Sequence, residues 1–198
     1  DAGTGLGVYA GLAEGIDRAA FEAAVEAQRT SEVVHAFEAR AGDVIVIPSG
    51  RVHAIGAGLL LFEIQQNSDT VYRVFDWNRV GLDGRPRELH VDESLACIDF
   101  GDVAPEPVST SGEVLADCEH FRVERWALRP GEPRSVAGER FALVTVIEGD
   151  LACGGQAFGV GRTFLVPSRG APLLSSHDAR VLVTTLPRTR DAGPGARC

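Results

Sequence analysis

The chain has 198 residues, of which 44% are hydrophobic and 24% charged, the proportions of one large or two small globular domains rather than of a disordered or bilayer-spanning chain. Its 28 acidic residues against 19 basic ones give a net charge of −9, which argues against nucleic acid and anionic membrane surfaces as partners, because both require a basic face. All 19 basic residues are Arg, so a Schiff-base lysine and a phosphate-loop lysine are both excluded within the chain.

Met is absent, position 1 included, and no apolar signal segment follows Asp1; the sequence is therefore expected to be a fragment or a trimmed piece. Cys97, Cys118, Cys153 and Cys198 show no CxxC or other metal-ligand spacing and are too sparse for a disulfide framework, which favours a reduced, cytoplasmic protein.

Only the first forty residues read as helical. Asp17 is placed to cap a helix whose apolar positions Ala20, Phe21, Ala24 and Val25 recur at helical spacing. Thr30 or Ser31 is expected to start a second helix through Val33, Val34 and Phe37, ended by Gly42. Beyond that the texture changes to short β-branched runs punctuated by Gly, Pro and Asp. Strands are expected at Val44–Ile47, Leu59–Ile64, Val71–Phe75, Phe121–Leu128, Ala142–Ile147, Thr163–Val166 and Val181–Thr185, the pattern of an all-β sandwich or barrel. A helical turn is expected around Asp92–Ile98, a linker rich in Asp, Pro, Ser and Thr over 101–112, and a disordered tail over 188–198.

The most specific local pattern is Gly42-Asp-Val-Ile-Val-Ile-Pro48-Ser-Gly50-Arg-Val-His53. A buried strand runs into a Pro and a Gly that force a tight reversal, and a histidine then opens the returning strand. This G-x5-P-x-G-x2-H spacing resembles the second conserved motif of the cupin superfamily, in which that histidine is a metal ligand; neutral imidazole suits zinc or iron. A bland reading stands beside it: His53 hydrogen-bonded to its own loop. The run Glu63-Ile-Gln65-Gln66-Asn-Ser68-Asp69-Thr-Val-Tyr72-Arg73-Val-Phe-Asp76-Trp77, followed by Arg79 and by Arg87-Glu-Leu-His90, narrows the resemblance to type I mannose-6-phosphate isomerases of the bacterial kind.

That resemblance covers most of residues 5–100 and is strongest over 42–100. It implies an all-β fold with a short helical insert over 11–40, a double-stranded β-helix or jelly-roll cupin of two units. Residues 1–100 then form the C-terminal part of the catalytic unit, with the metal-motif strands in 42–77, and residues 113–187 form a degenerate second unit. Within the latter, Glu148-Gly149-Asp150 and Gly161-x5-Pro167 echo cupin turns without a histidine. The family interconverts mannose 6-phosphate and fructose 6-phosphate through an enediol, with a bound zinc ion; a small phosphosugar is the implied substrate. By the same resemblance His53 is a metal ligand, Arg73 an active-site arginine suited to a developing enediolate, and Glu63 and Asp69 site carboxylates of which one moves protons if burial raises its pKa.

Read without the family, Arg73 between Asp69 and Asp76 is an ordinary ion-paired residue, Glu63 is a partnered barrel carboxylate, and Tyr72, Phe75 and Trp77 are packing. His90 reads as structural, and His35, His120 and His177 have no partner pattern. The family's other zinc ligands, a Gln and a His in Q-x-H and a Glu, have no counterpart in this chain, nor does its active-site lysine. One imidazole does not hold a catalytic zinc ion, which needs about three protein ligands. The chain is accordingly expected to be an incomplete piece, inactive alone, its first half intact only when an upstream segment is supplied. The competing expectation is a non-catalytic cupin module that binds a sugar or serves a structural or regulatory role.

Overall fold

The computed structural model describes residues 7–77, 79–81, 83–108, 112–136 and 140–187, in two compact units that divide between Pro107 and Val108. The expected tail over 188–198 lies outside the described residues, as does part of the expected linker.

In the first unit, Gly7–Leu12 (β1) runs between Val34–Glu38 (β2) and His53–Ile55 (β3) in an antiparallel sheet of order β2-β1-β3. Arg18–Glu26 (α1) follows β1. As its composition suggests, the Asp17 carboxylate accepts from the Ala20 N–H at 2.8 Å, and Phe21 and Ala24 turn inward to pack with Leu12, Val33 and Val34. Val91–Cys97 (α2), close to the expected helical turn, presents Leu95 to the same core, which Ile98 and Phe100 extend.

Where a second helix was expected there is a single 3-10 turn, Thr30–Glu32, and then strand β2. The reason is tertiary. Val33 and Val34 are β-branched and stiff, and β1 offers a ladder that sets Val34 opposite Leu12 and Phe37 opposite Val8. The part of 11–40 assigned to a helical insert is thus helix, turn and strand in succession.

Three expected strands of this unit, Val44–Ile47, Leu59–Ile64 and Val71–Phe75, form no ladder. A strand exists by its cross-strand hydrogen bonds, and among the described residues no segment supplies them here. Val44–Ile47 are half-buried all the same, whereas Leu60 is fully exposed and Leu61, Phe62, Val71 and Tyr72 face solvent as well.

The second unit contains the four strands expected there, with slightly different bounds, and four more that the sequence did not announce. Val114–Asp117 (β4), Arg122–Leu128 (β5), Ala142–Glu148 (β6), Asp150–Cys153 (β7), Gln156–Gly159 (β8), Thr163–Val166 (β9), Leu173–Leu174 (β10) and Ala179–Thr185 (β11) form two antiparallel sheets, β4-β5-β11-β6-β9 and β10-β7-β8. β11 lies at the centre of the larger sheet. It sets Val181 opposite Trp126 and Val183 opposite Val144, so alternate residues enter one core with Val146, Leu151, Val166 and Leu173. Gly149 joins β6 to β7 at φ +73°, where a Cβ would lie 2.7 Å from the Asp178 carbonyl oxygen, so the turn requires glycine. Cys97 and Cys153 are free thiols.

Candidate functional site

The reversal predicted at Pro48-Ser-Gly50 is a turn in which the Arg51 N–H donates to the Pro48 carbonyl at 3.1 Å. Gly50 adopts φ +91°, and its Cα passes so close to α2 that a Cβ would lie 2.9 Å from the Cys97 carbonyl oxygen. The Asp99 N–H donates to the Gly50 carbonyl at 2.9 Å, tying the turn to the end of that helix.

Arg51 locks the loop from within. Its guanidinium donates to both Asp102 carboxylate oxygens, Nε at 2.7 Å and Nη2 at 2.6 Å, while Nη1 donates to the Val46 carbonyl at 2.6 Å. Both partners are largely buried, the geometry in which a bidentate pair is strongest.

His53 then opens β3, opposite Ala10 of β1, with its ring exposed. Its Nδ1 lies 3.1 Å from the Arg51 carbonyl oxygen. A carbonyl only accepts, so Nδ1 carries the proton and the neutral ring keeps its lone pair on Nε2. The bland reading and the ligand reading are therefore compatible: the hydrogen bond to the loop is what fixes a metal-ligating histidine in its tautomer.

Arg73 is half-buried and pairs with neither Asp69 nor Asp76. Its Nη1 donates to the Glu88 carbonyl at 3.1 Å, and its backbone is bonded twice to His90. Asp76 belongs to a different arrangement. It is buried, it accepts from Arg79 Nη2 at 2.8 Å and Arg87 Nε at 2.6 Å, and Arg87 Nη2 bonds it as well. The two guanidinium groups, Arg87 foremost, hold its carboxyl at about 2 against the ordinary 3.8, although burial pushes the other way.

Glu63 and Asp69 lie in the uncovered stretch, exposed, with no hydrogen bond or ion pair among the described residues. Gln65 and Gln66 are exposed too. The structure thus presents His53 and Arg73 on braced backbone and leaves both carboxylates in solvent.

Phe75 and Trp77 pack as expected, with Trp77 5.3 Å from Phe75 and 5.7 Å from Tyr9 between ring centroids; Tyr72 is exposed, its ring meeting that of His90 at 6.1 Å. Beside His53 these rings, with Thr30 and Val52, line a cleft of about 40 Å³. The buried Thr30 hydroxyl beside it has no partner among the described residues.

As a metal site the described residues do not suffice. They contain no group of three or more His, Cys, Asp or Glu side chains able to surround an ion, and His53 offers one ligand nitrogen. Among the described residues no helix is long and apolar enough to cross a membrane. Residue-by-residue reading of the sequence missed Arg51, Asp102 and the role of His90. Only Arg51, sitting between Gly50 and His53, carried any local signal.

No protein-family model matches the chain. It is 36% identical to the mannose-6-phosphate isomerase ManA of Bacillus subtilis (strain 168) over 134 residues, which are 64% of this chain and 42% of that protein. To the mannose-6-phosphate isomerase of Streptococcus mutans serotype c it is 37% identical over 116 residues, 56% of this chain and 36% of that one. The chain thus spans about two fifths of the length of the curated relatives it matches. Among solved structures, the mannose 6-phosphate isomerase from Bacillus subtilis superposes with a TM-score of 0.76 at 23% identity, covering 93% of this chain and 62% of that one, a likeness of fold. Over the matched stretch the chain is similar in sequence to bacterial mannose-6-phosphate isomerases, and its mostly β fold is that of the Bacillus subtilis enzyme.

Proposed function

We propose that the protein is a mannose-6-phosphate isomerase, cytoplasmic and zinc-dependent, which interconverts mannose 6-phosphate and fructose 6-phosphate by proton transfer through an enediol. The observation that carries this reading is His53, held on β3 with its Nε2 lone pair open, in a chain similar in sequence to such isomerases. Residues 1–100 belong to the catalytic cupin unit and 113–187 to a degenerate second one.

In this reading Arg73 offers a permanent planar charge to the developing enediolate or the substrate's anionic group. Either Glu63 or Asp69 transfers the proton, a role that needs a pKa raised by burial. Both are exposed here and His53 is one ligand where about three are needed, so the 198 residues are a piece of the enzyme and inactive alone. A bound zinc ion would polarise the sugar oxygens, and His53 is the one ligand for it among the described residues.

The incomplete ligand set also favours a second reading, a cupin module without catalysis that binds a sugar or serves a structural role. The full-length protein with zinc separates the two. Isomerase activity abolished by both His53→Ala and Arg73→Ala, with metal lost only from His53→Ala, supports the first. A folded, inactive full-length protein supports the second. Turnover by the 198-residue chain with added zinc would overturn the reading of it as an inactive piece.

A further inference from the structure

Two histidines of the first unit, His53 and His90, are held in opposite tautomers. At His53 the ring nitrogen Nδ1 faces a carbonyl oxygen and must donate. At His90 the same atom faces a donor, the Arg73 backbone N–H, at 3.3 Å and must accept. The neutral His90 ring therefore carries its proton on Nε2, and its Nδ1 lone pair is already engaged.

His90 also donates its backbone N–H to the Arg73 carbonyl at 2.8 Å, and two residues before it the Glu88 carbonyl accepts from Arg73 Nη1 at 3.1 Å. Backbone N–H, backbone carbonyl and guanidinium of Arg73 are thus all bonded to the single segment 88–90. The neighbouring chain on the Arg73 side has no sheet to brace it, because 71–75 forms no ladder among the described residues. An Arg side chain has several rotatable bonds, so the direction of its charge is only as definite as the backbone that carries it.

We propose that His90 is the positioning residue for Arg73, its Nδ1 standing in for the backbone carbonyl that a partner strand would present to the Arg73 N–H. The consequence for activity rests on the isomerase reading above; the tautomer and the bond do not.

The substitutions His90→Asn and His90→Leu separate this role from simple packing. The Asn side-chain oxygen reaches roughly the place of Nδ1 and restores an acceptor, whereas Leu fills space and accepts nothing. In the full-length protein, His90→Leu is expected to lower kcat about tenfold with a smaller change in KM, and His90→Asn to stay within about threefold of the parent. Equal losses in the two variants would overturn the proposal.

Two measurements on the same protein do not need activity. Nitrogen-15 NMR of the neutral ring is expected to show Nδ1 unprotonated at His90 and protonated at His53, and the Arg73 amide is expected to exchange with solvent about tenfold faster in His90→Leu than in the parent or His90→Asn. A protonated Nδ1 at His90, or an Arg73 amide indifferent to the substitutions, overturns the proposal. An inactive parent with these NMR results intact would refute the isomerase reading and leave His90 bonded to Arg73 as described.

Discussion

Asp76 is the buried charge on which the region around Arg73 is fastened, and replacing it with Asn tests that role by electrostatics alone. Its side chain is 6% exposed, while Arg79 and Arg87 are 61% and 40% exposed. A carboxyl held at about 2 in the folded protein and 3.8 when released corresponds to about 2 kcal/mol of stabilisation, and solvent around the two guanidinium groups reduces this to about 1 kcal/mol. Because the folded value is the lower one, this stabilisation is fully present above pH 3.8 and is lost as the pH falls through about 2. Asn has the shape of the protonated acid. Asp76→Asn is therefore expected to be less stable than the parent by about 1 kcal/mol at pH 7 and to converge with it near pH 2. The assay is urea unfolding across that range in a Trp126→Phe background, where Trp77 is the one remaining tryptophan and reports on the first unit. Other carboxylates titrate in both proteins alike and cancel in the comparison. Parallel stability curves, with no convergence at low pH, would refute the assignment of the shift to this ion pair.

Two further outcomes follow from local packing. Gly50→Ala places a Cβ 2.9 Å from the Cys97 carbonyl oxygen at a φ of +91°; the left-handed conformation alone costs about 1–2 kcal/mol, so the unfolding midpoint of the first unit falls and an unchanged midpoint would contradict the close approach to α2. Phe21→Ala empties the centre of that unit's core, where Phe21 is fully buried and meets Phe100 edge to face, and is expected to cost about 3–5 kcal/mol by the same urea assay; a loss under about 1 kcal/mol would mean that α1 is not packed as described.

What was legible in the sequence is what neighbours in the chain decide between themselves. Asp17 reaches an amide three residues on, and the β-branched runs within Ala142–Glu148 and Ala179–Thr185 form strands as their residue types favour. The Gly42–His53 motif likewise announced a reversal with a histidine after it, because Pro and Gly act within a few residues.

Tertiary structure decided the rest. Val34–Glu38 had both helical spacing and β-branched residues, and the presence of β1 alongside made it strand; Val44–Ile47, Leu59–Ile64 and Val71–Phe75 had the composition of strands and, lacking a neighbour, formed none among the described residues. The braces of the candidate site are equally non-local: Arg51 meets Asp102 across 51 residues, Arg87 reaches back 11 residues to Asp76, and His90 reaches back 17 to Arg73. A hydrogen bond between distant residues has no local signature, since either partner is an ordinary polar residue until the fold brings the other to it. The sequence by itself therefore determined the fold class and the residue types available to the candidate site, while the orientation of His53 and Arg73 was set by contacts that exist only once the chain has folded.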